Sequence, residues 1–436
     1  MKHFDILIIG FGKAGKTLAA KAAAIGKKVA LIEKSSKMYG GTCINVGCIP
    51  TKRLITLSKE AKFHSDKKQF FKEAMSKKEA LITTLRAKNY AMLEKNVEIF
   101  TDTATFVDEK SVILKSSGER LSGDFIVINT GSINVTPKFS INSNIVYQSD
   151  EILNLNELPN ELVIIGGGFI GLEMASMFAN FGSKVTLLSR SGFLKDDDDD
   201  VRKAVLESLQ AQGVSFIENA KIEKIDGKTL FFNGTSINAD AFLLSLGRVA
   251  NVADLSLQNA KISLNERGGV ATDDTLKTSQ SHIFAVGDVR GEEFFTYISL
   301  DDFRIVYSQI FGDKTRTKQN RSPYAKVLFT DTPLAKIGLN EREAKALGKD
   351  IKVLKLPMQN VPNAKILGND TGFLKAICDA KSGEILGATF YCVNSSEIIN
   401  EIALAMKFRA TASDLATQIF THPSVSEALN DLFLQF

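Results

Sequence analysis

Two cysteines, Cys43 and Cys48, stand in the segment Gly40-Gly41-Thr42-Cys43-Ile44-Asn45-Val46-Gly47-Cys48-Ile49-Pro50-Thr51-Lys52, whose residue types are the most able in this chain to do chemistry. Residues five apart on an ideal helix are separated by about 7.5 Å of rise and face about 140° apart. A disulfide needs Cα atoms roughly 4.4–6.8 Å apart. Pairing therefore requires a bent backbone, and Gly47 and Pro50 are placed to permit one. A strained, locally closed disulfide is the reducible kind, so the pair predicts dithiol–disulfide chemistry. Two buried free cysteines, or half of a zinc site, are the competing readings. Zinc would need two more ligands, and no further Cys or His follows until His64. Cys378 and Cys392 lie inside apolar runs and read as core residues.

A second kind of chemistry is written twice. Gly10, Gly12 and Gly15 follow the apolar run Ile6-Leu7-Ile8-Ile9 and open an alanine-rich helical segment. Gly166, Gly168 and Gly171 follow Leu162-Val163-Ile164-Ile165 and open another helical segment, Leu172 to Phe181. Each returns to a second apolar strand, Val29 to Ile32 and Val185 to Leu188. Strand, glycine turn, helix and strand make a βαβ unit. Its glycines allow the tight turn, the approach of a pyrophosphate and close helix–strand packing, and the helix N-terminus faces the phosphates. One such match is weak evidence; two in the same context predict two dinucleotide sites. Glu33, 23 residues after Gly10, suits the ribose hydroxyls of an adenosine without a 2′-phosphate. The same count from Gly166 reaches Ser189, with Arg190 beside it. A hydroxyl and a cation lean towards NADPH over NADH.

These residues must be positioned by a chain of 436 residues, long enough for two or three domains. At 44% apolar and 24% charged it has the composition of an ordinary globular protein. Its 54 basic and 50 acidic residues nearly balance and form no basic stripe, so nucleic acid is not an expected partner. No apolar run approaches the ~20 residues that span a bilayer, so no membrane is expected. The few cysteines point to the cytoplasm. Composition places breaks near Asn156–Asn160 and across Gly312–Pro323. Strands are expected at Ser111–Leu114, Phe125–Asn129, Phe216–Ile217, Ala241–Leu246, Lys326–Phe329 and Phe373–Cys378. Helix is favoured from about Ser58 to Asn96, at Ser396–Phe408 and at Val425–Leu432. The run Asp196 to Asp200 reads as the acidic first turn of a helix over Val201–Gln212, where carboxylates face the positive helix end.

Along essentially its whole length the chain resembles the pyridine nucleotide-disulfide oxidoreductases, the family of glutathione reductase, dihydrolipoamide dehydrogenase and mercuric reductase, whose cysteine motif reads G-G-T-C-x-N-x-G-C-I-P-x-K. The resemblance implies an α/β fold with two Rossmann-like dinucleotide-binding domains and a C-terminal α+β dimerisation domain. It divides the chain into residues 1–155 and 271–322 for FAD, 156–270 for NAD(P)H and 323–436 for the interface of a homodimer. It implies that Cys43 is the interchange thiol facing substrate and Cys48 the charge-transfer thiol against the flavin. Lys52 would sit by the flavin N5, paired with Glu173. Thr42, Thr130, Gly131 and Asp288 would join Gly10, Gly12, Gly15 and Glu33 around FAD. Gly247 would join Gly166, Gly168, Gly171, Ser189 and Arg190 around the nicotinamide nucleotide, although Ala250 replaces the usual proline before Asn251.

Phe420-Thr421-His422-Pro423-Ser424-Val425-Ser426-Glu427 is similar to the family's H-P-T-x-x-E, with Ser424 for Thr. By that likeness His422 would be the acid–base partner of the interchange thiol, reaching across from the second subunit, with Glu427 orienting its ring. The chain ends without the extra cysteine pair of mercuric reductases. Runs such as Met38–Lys52, Ser176–Lys184 and Ile419–Phe433 look most like the bacterial reactive-chlorine-resistance branch. That likeness implies a role in surviving oxidants and an electron acceptor that is a metal ion such as Cu(II). Reduction of a small disulfide is the alternative within enzymes, and a flavin-bound redox sensor without turnover is the alternative outside them.

Overall fold

A computed structural model describes residues 1–436. The run Ile6–Ile9 is apolar at every position, the pattern of a strand covered on both faces, and it lies at the centre of the first sheet, within the strand Lys2–Ile9. Val29–Glu33 and Glu98–Thr101 extend the sheet in parallel on one side. On the other side stands Arg120–Ile128, which Ile283–Ala285 joins in parallel. An antiparallel pair, Ser111–Leu114 and Ala104–Asp108, closes that edge.

The second sheet repeats the plan: Val214–Ile217, Lys184–Leu188, Glu161–Ile165, Ala241–Leu244 and Val146–Gln148, all parallel. A third sheet, over residues 326–391, is antiparallel. It is backed by the helices Ser395–Lys407 and Ala428–Phe433 and has its own core.

Pairing crosses the divisions expected at 155 and 270. Ser140–Asn142 and Val146–Gln148 pair with strands of the second module although they precede 156. Leu255, Leu257, Ala260 and Ile262 pack with Phe4, Leu7 and Ile126 of the first module although they precede 271. The chain changes modules where Ser132–Asn134 and Arg248–Ala250 run antiparallel to each other. The polar stretch at 156–160 is a loop inside the second module, with Asn156, Glu157 and Asn160 exposed and Leu158 and Pro159 buried. Its composition marks solvent and not a module boundary.

The largest core cluster joins the modules, with 32 buried residues around the helix Phe169–Phe181. That helix is apolar on nearly all sides, as befits one that is covered all round. It ends where Gly182 turns left-handed, at φ +111°. Phe178 and Phe181 meet Phe71 of the helix Lys67–Ala91, and Leu54 and Leu57 of the helix Cys48–Glu60 fill the same core. The expected long helical stretch from Ser58 is interrupted at His64–Asp66. Asp66 caps the following helix by accepting from Gln69 N at 2.9 Å.

Candidate active site

Gly40 and Gly41, both at positive φ (+98° and +79°), deliver the chain into a one-turn helix, Thr42–Asn45. Val46 and Gly47 break it, and Cys48 opens the next helix, Cys48–Glu60. The bend that lets the two cysteines meet is therefore at Gly47, where a Cβ would stand 3.0 Å from Thr42 O. Pro50 does not bend the chain: it lies in the first helical turn, where a backbone N–H has no intrahelical acceptor. Both cysteines are free thiols. Cys48 reaches solvent, and its Sγ lies 3.5 Å from Thr296 Oγ1 of the helix Thr296–Phe311. The Cys48 thiol is lowered to about 6, first by a hydrogen bond from Cys43. Thr296 and the Lys52 charge help, and burial opposes. Cys43, the donor of that bond, is pushed up. The two thiols titrate as a pair in which the charge is favoured on Cys48 over Cys43.

One turn along the same helix, Lys52 Nζ donates to Glu173 Oε2 at 2.6 Å and lies 4.9 Å from the centre of the Phe329 ring. Glu173 Oε1 accepts from Phe329 N at 3.0 Å. Burial pushes the Glu173 carboxyl up, and the Lys52 charge opposes it. One carboxylate on the central helix thereby ties the cysteine helix to the C-terminal module.

In the first glycine turn Gly10 takes φ +109°, and a Cβ there would meet Asn129 O at 2.2 Å. A Cβ on Gly12 would meet Asn129 Oδ1 at 2.7 Å, and one on Gly15 would meet Gly10 O at 2.6 Å. Glu33 Oε2 accepts from Phe11 N at 3.0 Å and Oε1 from Ser35 N at 3.3 Å, while burial pushes its carboxyl up. Gly10, Glu33 and Thr130 line one small cleft of about 60 Å³. Asp288 Oδ2 accepts from Ser132 Oγ at 2.6 Å, and Ser132 accepts from Arg248 Nε at 2.8 Å. Thr130 Oγ1 donates to Asn251 O at 2.7 Å, and Asn251 Nδ2 returns a bond to Thr130 O at 3.2 Å. Gly131 faces Thr42 Oγ1, 3.9 Å from where a Cβ would stand.

In the second turn Gly166 takes φ +123°, and a Cβ would meet Ser245 O at 2.2 Å. The space above Gly168 is open for 4 Å. Gly168 and Gly247 border a cleft of about 1050 Å³. A Cβ on Gly171 would meet Gly166 O at 2.0 Å. Ser189 is buried and its Oγ donates to Gly192 O at 2.7 Å, whereas Arg190 is exposed and makes no hydrogen bond or ion pair.

His422 lies elsewhere. Its side chain is 75% exposed, makes no contact with either cysteine of its own chain, and bonds through Nδ1 to Glu427 Oε2 at 2.7 Å. A carboxylate only accepts, so the proton sits on Nδ1 and Nε2 faces outward. The bond to His422 holds the Glu427 carboxyl below its usual range. The helix expected at Val425 begins at Ala428. Ser424 Oγ instead accepts from Glu427 N at 3.2 Å, in a turn that sets the glutamate against the imidazole.

Residues 4–307 match the family model described as pyridine nucleotide-disulphide oxidoreductase, and residues 324–433 match that family's dimerisation domain. The chain belongs to the pyridine nucleotide-disulphide oxidoreductases. It is 42% identical over 444 residues, 99% of each chain, to the probable pyridine nucleotide-disulfide oxidoreductase RclA of Escherichia coli K12. It is 31% identical to a mercuric reductase of Bacillus cereus, covering 99% of this chain and 71% of that one. It is equally similar to a dihydrolipoyl dehydrogenase of Mycobacterium tuberculosis, covering 99% and 98%. The solved Cu(II) complex of the HOCl-induced flavoprotein disulfide reductase RclA from Escherichia coli superposes with a TM-score of 0.95 at 42% identity, covering all of both chains.

As a family member the chain is an oxidoreductase that works with FAD and a pyridine nucleotide, which sets aside the sensor without turnover. The residues fit both groups. One glycine turn is closed around an acidic residue and the other is open above its second glycine. No helix is long and apolar enough to cross a membrane.

Sequence reasoning missed Asn129, whose Oδ1 accepts from Gly15 N at 2.8 Å and whose Nδ2 donates to Val286 O at 2.9 Å. It also missed Thr296. An asparagine ending a strand next to the quoted Thr130-Gly131 was the available signal for the first; nothing local marked the second.

The acidic run also does more than expected. Asp199 and Asp200 do lie in the first turn of a helix, which starts at Asp199. Asp197, Asp198 and Asp200, however, pair with Lys336 (2.5 Å), Lys375 (2.9 Å) and Lys355 (2.5 Å) of the C-terminal module. Asp198 also accepts from the backbone N–H groups of Glu341 and Arg342 at 3.2 and 3.1 Å. Lys375 is 3% exposed among three carboxylates. Burial lowers its pKa, but those acids outweigh burial and raise it.

Proposed function

We propose that this chain is an NADPH-preferring flavoprotein that resists reactive chlorine species by delivering electrons through Cys43 and Cys48 to a metal ion such as Cu(II). What supports the reading best is the likeness along the full chain to the HOCl-induced RclA, itself solved as a Cu(II) complex. FAD, held by Gly10, Gly12, Gly15, Glu33, Thr42, Thr130, Gly131 and Asp288, would supply the two-electron relay between nicotinamide and sulfur.

The chain's own residues do the rest. Gly166, Gly168, Gly171 and Gly247 seat the nicotinamide nucleotide, and Arg190, exposed and unpaired, meets a 2′-phosphate. Cys48 carries the thiolate on the flavin side of the pair, favoured by Cys43 and by Thr296, while Lys52 is fixed one turn along by Glu173. Cys43 faces the acceptor and releases its proton as electrons leave. His422, with its free Nε2 and Nδ1 locked to Glu427, takes that proton from across a homodimer interface built by residues 323–436.

Because the folded Cys48 pKa is depressed, the thiolate forms as pH rises through about 6, and its contribution to stability is lost as pH falls through that value.

The decisive experiment reduces the enzyme anaerobically with NADPH. Reoxidation is then timed with Cu(II), Hg(II), glutathione disulfide, lipoamide and oxygen. Fast reoxidation by a metal ion with slow disulfides is expected. Fast reoxidation by a single disulfide would make the enzyme a dedicated disulfide reductase. Cys43→Ser should keep flavin reduction and lose acceptor turnover; unchanged turnover would remove Cys43 from the route.

A further inference from the structure

Lys16 directly follows the third glycine of the first turn and is 94% buried, with 6% of its surface exposed. Its Nζ has one hydrogen-bond partner, the neutral Asn89 Oδ1 at 2.5 Å, and no carboxylate within ion-pair distance. A buried ammonium with only a neutral partner is costly unless a counter-charge comes from somewhere.

The surroundings of Lys16 indicate the source. Asn89 and Arg86 are three residues apart on the helix Lys67–Ala91 and so share a face, with Cβ atoms about 5–6 Å apart. While Asn89 holds Lys16, Arg86 Nε donates to Asn45 Oδ1 at 2.8 Å, and Asn45 ends the one-turn helix that carries Cys43. From the other side Gly41 presses on the turn that leads to Lys16: a Cβ there would stand 2.7 Å from Gly12 Cα. The helix Lys67–Ala91 therefore holds both the Lys16 ammonium and the end of the Cys43 helix on one face, and Gly41 packs on the turn that precedes Lys16.

We propose that Lys16 is a positioning residue for Cys43, its buried ammonium serving as the standing counter-charge of the Cys43 thiolate from within the same chain. The groups facing the pair agree with this. Cys43 is met by Cys48, by the Thr296 hydroxyl and by the charge of Lys16, which lowers its pKa. Lys16 is met by Asn89, by Lys13 and by Cys43. Burial pulls Lys16 down to about 8, Lys13 adds to this and Cys43 opposes it. While Cys48 carries the shared negative charge, Cys43 keeps its proton. When Cys48 carries no charge, as in a Cys48→Ser chain, Cys43 becomes the anion by giving its own proton to His422 or to solvent, and Lys16 is already in place. His422 then serves as the proton carrier, and the chain's own lysine fixes the anion.

The proposal rests on Cys43 as the thiol that faces the acceptor, but labelling reads the thiol itself and not turnover. In the Cys48→Ser holoenzyme, carboxamidomethylation of Cys43 by iodoacetamide is followed by mass spectrometry across pH, with Cys378 and Cys392 buried out of reach. Lys16→Met should raise the midpoint of labelling by about one pH unit, and Lys16→Arg should keep it near the parent value. Asn89→Asp gives Lys16 a permanent carboxylate and should also raise the midpoint, which provides a reading even where Lys16→Met folds poorly. Equal midpoints in all variants would overturn the proposal. Loss of bound FAD from Lys16→Met at an unchanged midpoint would overturn it too, because the ammonium would then serve the cofactor's phosphates. Full acceptor turnover in Cys43→Ser, by contrast, would reject the acceptor-facing role of Cys43 and leave the labelling result standing.

Discussion

In the first βαβ unit Gly10 enters its turn at φ +109° and in the second Gly166 does so at +123°, each with the carbonyl of a neighbouring strand where a Cβ would be. The backbones match; the surroundings do not. Gly12 is packed on Asn129 and pressed by Gly41, so the first turn is enclosed by the protein's own cysteine segment. Gly168 faces open space on a cleft of about 1050 Å³. Glu33 is held inward by two backbone N–H groups, whereas Arg190 stands free in solvent. The helix inside each unit lies in a shared apolar core, but directly after the second unit Asp197, Asp198 and Asp200 also pin the chain to lysines of the C-terminal module. One motif has thus been built as a permanent seat and as a docking berth. The same glycine count suits a resident cofactor or an exchanging one, depending on what surrounds the second glycine.

Substituting the matched glycines gives the strongest test of that difference. Gly10→Ala, with a Cβ 2.2 Å from Asn129 O, should yield protein without flavin absorbance. Gly166→Ala, equally close to Ser245 O, should keep the flavin but lose its bleaching by NADPH. Loss of flavin from Gly166→Ala would show that the two seats are one cooperative unit.

Next comes the docking of the second module. Asp198→Ala strips Lys375 of one of three acids and two backbone N–H groups of their acceptor. It should cost about 1–3 kcal/mol, read as a lower thermal midpoint. A melting curve that does not move would mean that the module is held by its apolar core alone.

Smaller effects sharpen the nucleotide preference. Arg190→Ala should raise the KM for NADPH about tenfold, one charge-assisted bond's worth, and leave NADH nearly unchanged. Equal effects on the two would move the 2′-phosphate elsewhere. Ser189→Ala should change either KM by less than about twofold, because the hydroxyl is already committed to Gly192 O.

Much of this was legible in the residues. Continuous apolar runs at Ile6–Ile9 and Leu162–Ile165 announce buried parallel strands, since no other element of that length hides both faces. The cysteine segment, Lys52 and Glu173 were legible through resemblance, and the structure brings them together within hydrogen-bonding reach or one helical turn. What was hidden depends on distant partners. Asp198 and Lys375 are 177 residues apart, and no window of sequence around the aspartates shows that lysines wait for them. The change of modules at Ser132–Asn134 and Arg248–Ala250 was hidden because short antiparallel strands carry almost no composition signal. Pro50 misled for a local reason: proline reads as a bend, yet in a first turn it merely continues the helix.

The strand Ile283–Ala285 takes its place beside Arg120–Ile128 only after the whole second module has been made. On the ribosome, the first sheet therefore waits with an open apolar edge while about 150 residues are added, roughly 8–30 s at ordinary elongation rates. During that interval Val127 and Ile128, buried in the finished protein, have no neighbour on that side. A nascent chain of this design presents chaperones with a strand-shaped gap of known position, and its yield should depend on how quickly residues 283–285 emerge to fill it.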